Sequence, residues 1–183
     1  MYPQLVNWIL ICSFMAQAAY SIVAPFLPVE FELKGLPPSY TGAVFSFYSV
    51  GQIIFSLLVG KIVDRLGHKN LLPGGIGLMG IAFVCLGLVG EMESRANILT
   101  LVIIVRFLQG AAAATLGTTY YTIVMNDFPT RKVEFIGLVS TTVGLGLVLG
   151  PILGSALYSV FGFRWTFYTY GSFKVIFAIV MRL

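Results

Sequence analysis

Gly60-Lys61-Ile62-Val63-Asp64-Arg65-Leu66-Gly67-His68-Lys69 gathers charge between two long apolar runs. The runs, 40–63 before it and 71–90 after it, are each long enough to cross the hydrocarbon core of a bilayer, which takes about 20 apolar residues. Backbone N–H and C=O groups find no water there, so both runs are expected to be helices. The segment between them is then a tight turn at one membrane face.

Outward from that turn the pattern repeats. Apolar runs at 5–29, 98–124, 135–161 and 165–181 bring the expected spans to six, joined by short connections at 30–39, 64–70, 91–97, 125–134 and 162–164 that hold most of the charge. No stretch is left for a soluble domain, so the chain reads as one six-helix transmembrane domain over 1–183. Composition agrees. Hydrophobic residues make up 58% and charged residues 10%, against about 25% charged in a soluble domain, and mean hydropathy is +0.94. The net charge of +4 comes from Lys and Arg scattered between apolar runs. Such scatter is not a nucleic-acid footprint. Cys12 and Cys85 fall inside apolar runs and read as small packing groups. The first run lacks a basic leader and a small-residue cleavage site, so it reads as a retained helix.

Positive charge sets the orientation. With the N-terminus inside, Lys61, Arg65, Lys69, Arg131, Lys132 and Arg182 are inner and Lys34, Arg95 and Arg164 outer. Both termini are therefore expected in the cytosol. Sliding the chain along itself gives a faint echo at an offset of 95, where Gly42 meets Gly137, Gly51 meets Gly146 and Gly67 meets Gly162. The second span overlays the fifth with inverted direction, as in transporters built from inverted three-helix units. The expected architecture is all-α, with repeats over about 1–95 and 96–183; chance overlap of two glycine-rich helices is the other reading.

Three elements carry more specific chemistry. In the opening stretch, Gly67 suits the positive φ of a tight turn. Asp64 is placed to meet a helix N-terminus, and Arg65 and Lys69 to meet phospholipid. In span four, Arg106 is followed by Gln109, Gly110 and Ala111 to Ala114. An arginine inside a span costs roughly 2.5–3.5 kcal/mol on insertion scales, so such residues face a polar cavity or a partner; snorkelling to the headgroups is the alternative. In span five, Gly146, Gly150 and Gly154 fall on one face, with Pro151 among them. Small residues at that spacing let helices approach closely, and the proline adds a bend, which makes either a hinge or a plain packing seam.

These elements resemble signatures of the major facilitator superfamily. The stretch 60–69 is similar to G-x-x-x-D-R-x-G-R-K, with His68 at the first basic place of the final pair. Arg106 to Ala114 resembles R-x-x-Q-G-x-x-A-A. Gly146 to Ser155 resembles the antiporter-branch element G-x-x-x-G-P-x-x-G-G, with Ser155 in place of the last Gly. The resemblance covers nearly the whole chain and implies half of that fold, the N-terminal six helices. The run 144–162, Asn126-Asp127-Phe128-Pro129 and Ala24-Pro25-Phe26-Leu27-Pro28 look most like the vesicular amine and polyamine transporters. Where monoamine members carry an intramembrane Asp, this chain has Ala16 followed by Gln17.

The resemblance implies antiport-like transport of a small organic solute in an organelle or vesicle membrane, with a coupling proton as an option. It also implies a second six-helix half or other membrane subunits as partners. No cofactor is implied. By these boundaries no Asp or Glu lies in a span, whereas Arg106 and Lys174 do. An anionic or zwitterionic solute is therefore expected. Arg106, Gln17, Gln109 and Lys174 are the candidate pocket residues, and Lys174 snorkelling near Arg182 is the alternative for the last. Gly60, Asp64, Arg65, Gly67 and Lys69 form the candidate conformational loop, and Gly146, Gly150, Pro151 and Gly154 the candidate hinge. An enzyme is not expected: the sole histidine, His68, lies in a loop, and no span has paired acids or a metal-ligand cluster. A non-transporting assembly subunit that keeps the half-fold is the other reading of the chain's length.

Overall fold

The computed structural model describes residues 2–37 and 39–182. The two terminal residues, Met1 and Leu183, lie outside the described residues. Everything described is helix, turn or short connection: α1 (Tyr2–Leu33), α2 (Ser39–Leu66), α3 (His68–Gly87), a short 3₁₀ turn (Leu88–Glu91), α4 (Arg95–Asp127) and α5 (Lys132–Arg182). Among the described residues, five helices are long and apolar enough to cross a membrane.

Most helices extend past the expected spans. The chain stays helical over 30–33, where a connection was expected, and Glu30 is buried there. Pro25 and Pro28 both sit inside α1 without ending it. In apolar surroundings the helix keeps backbone groups bonded, so it runs until a residue forces a turn. Gly67 does this with φ 72°, a left-handed conformation natural to glycine.

The largest difference concerns the last two expected spans. No extended loop forms at 162–164: α5, 51 residues long, is two helical arms joined at a kink, where only Gly162, at φ 69° and ψ −179°, leaves the helical region. A straight helix of 51 residues would reach about 77 Å. Neighbouring contacts show that it does not run straight. The arm before Gly162 follows α1 in the same direction: Cβ atoms at Gly146 and Gly154 would meet Phe14 and Phe26, and Tyr158 stacks on Phe26 at 4.7 Å. The arm after Gly162 runs back along α1, with Lys174 bonded to Met15 and Phe177 edge-on to Trp8. It also runs against α3, pairing Tyr168 with Gly87 and Ala178 with Gly77. The final residues Met181 and Arg182 return to the end of the bundle that holds Gln4, His68 and Asp127.

Glycine seams set the interhelical spacing. A Cβ at Gly51 would fall on the Phe107 carbonyl, and one at Gly110 on the Tyr48 carbonyl, so α2 and α4 touch backbone to backbone. Gly80 and Gly171 approach reciprocally: a Cβ on either would lie 2.8 or 2.7 Å from the other's carbonyl oxygen. Such contacts supply van der Waals packing where no hydrophobic drive separates protein from lipid. Ile22, Leu27, Phe31, Ile76, Leu116 and Phe167 fill the shared core. The outer faces of α2 and α5 stay apolar: Leu57 is 67% and Val148 64% exposed. Contiguous surface of this kind belongs against hydrocarbon or another protein.

Candidate functional site

Among the described residues, two basic side chains, Arg106 and Lys174, are buried in the bundle interior. Arg106 on α4 is fully buried. Its Nη1 donates to Gln109 Oε1 at 3.1 Å, one turn away on the same helix. Its Cζ lies 4.3 Å from the centre of the Phe45 ring. Phe45 packs edge-on to Tyr20, which lies 4.9 Å from Tyr48, so α1 and α2 close an aromatic wall over the guanidinium. Among the described residues, Arg106 Nε and Nη2 and Gln109 Nε2 have no acceptor. The Gly51 and Gly110 seam brings α2 close enough for that wall.

Lys174 on the second arm of α5 is also fully buried. Its Nζ donates to the Met15 carbonyl at 2.9 Å and lies 4.9 Å from the Phe83 ring centre and 4.6 Å from that of Tyr170. Tyr170 Oη donates to the same carbonyl at 3.4 Å. Cys12, a free thiol, lies in the same seam, with Sγ 3.6 Å from Met181 Sδ. Both cations thus lie inside the bundle. The two sites are built differently: Arg106 has a side-chain amide and open donors, whereas Lys174 has a backbone acceptor and π faces.

The α1–α5 seam is polar as well as tight. Ser13 and Thr142 share a hydrogen bond of 2.6 Å, and Ser21 Oγ donates to the Gly146 carbonyl at 3.1 Å. Gly146, Gly150 and Gly154 are buried in this seam, with Pro151 half-buried beside them and α5 continuous through it. Gln17 is half-buried next to Gly146.

At the Gly67 end, Asp64, Gly67 and His68 line a small cavity of about 140 Å³ with Thr122, Asn126 and Asp127 of α4. Arg65 and Lys69 are exposed beside it, and a Cβ at Gly60 would meet nothing within 4 Å. At the opposite end, Lys34 Nζ donates to the Gly90 and Met92 carbonyls, and Glu91 pairs with Arg164 at 2.6 Å.

The family model of the Major Facilitator Superfamily matches residues 9–183, almost the entire chain. The chain belongs to the major facilitator superfamily. Among curated proteins it is 28% identical over 152 residues to the human MFS-type transporter SLC18B1, covering 83% of this chain and 33% of that one. It is 29% identical over 145 residues to the mouse protein of the same name, covering 79% and 32%. It is 28% identical over 177 residues to the multi-drug resistance efflux pump PmrA of Streptococcus pneumoniae, covering 92% and 41%. The chain spans about a third of the length of the first of these relatives.

Membership of the major facilitator superfamily and five apolar helices make this an integral, multi-pass membrane protein. Of the four candidate pocket residues, the bundle brings Arg106 and Gln109 together; Lys174 sits in a separate seam and Gln17 in the α1–α5 seam. Sequence reasoning missed Phe45, Tyr20 and Tyr48, the aromatic neighbours of Arg106. Phe45, Tyr48 and Gly51 share one face of α2 by their spacing of three, but nothing in that face names α4 as its neighbour.

Proposed function

We propose that this chain forms the N-terminal half of a secondary transporter and moves a small organic solute, antiport-like, together with a second six-helix half. The reading has six crossings in a three-plus-three inverted bundle, α5 crossing twice with its reversal at Gly162. Four observations support it. Gly67 and Gly162, 95 residues apart, share a φ near 70°. Gly51 faces the Phe107 carbonyl as Gly146 faces that of Phe14. Gly80 and Gly171 meet reciprocally, as residues do across a two-fold axis. The two arms of α5 run in opposite directions along α1. Both termini are cytosolic in this reading, in an organelle or vesicle membrane.

The observation that carries the solute site is Arg106. Its unpartnered Nε and Nη2 form the lateral edge of the guanidinium, the fork that takes a carboxylate or phosphate with two parallel bonds. Gln109 Nε2 adds a third donor. Buried donors without acceptors cost about 1–3 kcal/mol each, which a solute anion offsets when the aromatic wall opens. Lys174 strengthens the same bias, since a second cation in low dielectric repels an amine. The solute is therefore anionic or zwitterionic, with Gln17 a hydrogen-bonding neighbour. The α5 glycines, Gly146 to Gly154, with Pro151, act as the hinge, and Gly60, Asp64, Arg65, Gly67 and Lys69 as the loop that follows the conformational change.

Uptake into proteoliposomes containing the completing half tests this. Organic anions and polyamines are offered in parallel. Anion uptake that falls at least tenfold in Arg106→Ala and recovers partly in Arg106→Lys is expected. Polyamine uptake that survives Arg106→Ala, with no anion uptake, overturns the assignment.

A further inference from the structure

Away from the Arg106 site, a cleft of about 790 Å³ opens at the Gly67 end. Its apolar floor is Leu5 and Trp8 of α1, Leu72 and Pro73 of α3, and Met181 of α5. Its rim carries Lys69 on the first turn of α3, Arg182 on the last turn of α5 and Asp127 at the end of α4. All three rim groups are exposed, and among the described residues no ion pair within 4.0 Å engages them. Trp8 is half-buried and held edge-on against Phe177 at 5.3 Å.

A wall that is apolar below and charged above, at the ends of membrane helices, matches an amphiphile. Two cations at its rim select a phosphate, and an indole in the floor beneath them suits the membrane interface. Basic pockets between helices at that depth hold phospholipid headgroups. We infer that this cleft binds an anionic phospholipid of the leaflet on its own side, with the phosphate between Lys69 and Arg182 and the acyl chains over Leu5, Leu72 and Met181. Asp127 keeps the rim from being a purely cationic surface and so favours a headgroup that also donates hydrogen bonds, such as phosphatidylglycerol. The site stands apart from the Arg106 cluster and does not depend on which solute is moved.

Trp8 is a built-in reporter. The chain's other tryptophan, Trp165, is exposed and next to Arg164 at the opposite end, so Trp165→Phe leaves Trp8 as the sole indole. That variant is placed in phosphatidylcholine bilayers containing a small fraction of brominated phosphatidylglycerol or brominated phosphatidylcholine, and Trp8 quenching is titrated. Brominated phosphatidylglycerol is expected to act at about fivefold lower mole fraction, or less. Lys69→Gln with Arg182→Gln abolishes the preference, and Lys69→Arg with Arg182→Lys keeps it, which separates loss of charge from loss of fold. Lys61→Gln with Arg131→Gln, charges at the same end but outside the cleft, also keeps it. Equal quenching by the two lipids overturns the inference, as does a preference that survives the Gln pair or vanishes in the Lys61 and Arg131 pair. Loss of the preference on adding millimolar glycerol 3-phosphate assigns the cleft to a soluble anion and overturns the lipid assignment.

Discussion

Lys174 has one hydrogen-bond acceptor, a backbone carbonyl that it shares with Tyr170, and two aromatic faces. Among the described residues no carboxylate forms an ion pair with it. A buried ammonium held this way loses much of its hydration for little return, so an apolar side chain of the same length is tolerated or better. Lys174→Met is therefore expected to melt at the same temperature as the parent in detergent, or a few degrees higher. Lys174→Ala leaves a void among Phe83, Tyr170 and Met15 and is expected to cost roughly 2–5 kcal/mol. A Met variant as unstable as the Ala variant shows that the ammonium itself holds the α1–α5 contact. Arg106 differs because a side-chain amide on its own helix takes one of its N–H groups, and α1 and α2 supply the aromatic wall. Arg106 and Gln109 stood out in the sequence because a cation and an amide are costly in hydrocarbon. Phe45 and Tyr48 did not, since aromatic residues in a span are unremarkable until their neighbour is known.

At the scale of elements, the six expected spans fall on five helices, the last two together on α5, and the apolar runs at 40–63 and 71–90 lie within the helical span from 39 to 91, broken only at Gly67. Helix ends were less legible. Hydropathy marks where hydrocarbon ends, whereas the helix ends where the backbone turns, so Glu30 to Leu33 stay helical beyond the expected span. The connection at 162–164 was expected as a loop, yet one residue suffices. Phe163, buried against Phe167 at 4.6 Å, starts the second arm at once. This places a large demand on Gly162. Giving it a side chain at φ 69° and ψ −179°, a region essentially reserved for glycine, costs about 1–3 kcal/mol. Gly137, by contrast, is within α5 with nothing near its Cβ position, and Gly→Ala there removes up to about 1 kcal/mol of helix penalty. Thermal melts in detergent should move in opposite directions, down for Gly162→Ala and up or unchanged for Gly137→Ala. Equal shifts contradict the turn at Gly162.

For the whole molecule, the sequence showed a membrane bundle and its family signatures, and the family match over 9–183 agrees. The inverted echo at an offset of 95 was faint because only glycines at turns and seams need to be the same in both copies; the remaining positions need only be apolar. The central claim is that α5 crosses twice, which gives six crossings and brings Arg182 back to the side of Asn70. Single cysteines at Asn70, Glu93 and Arg182, in a chain with Cys12→Ala and Cys85→Ala, test it by impermeant thiol labelling in sealed membranes. The account predicts that 70 and 182 share the cytosolic side and stay protected from reagent added outside, while 93 is labelled. Labelling at 182 with protection at 70 means an odd number of crossings between them and contradicts the account.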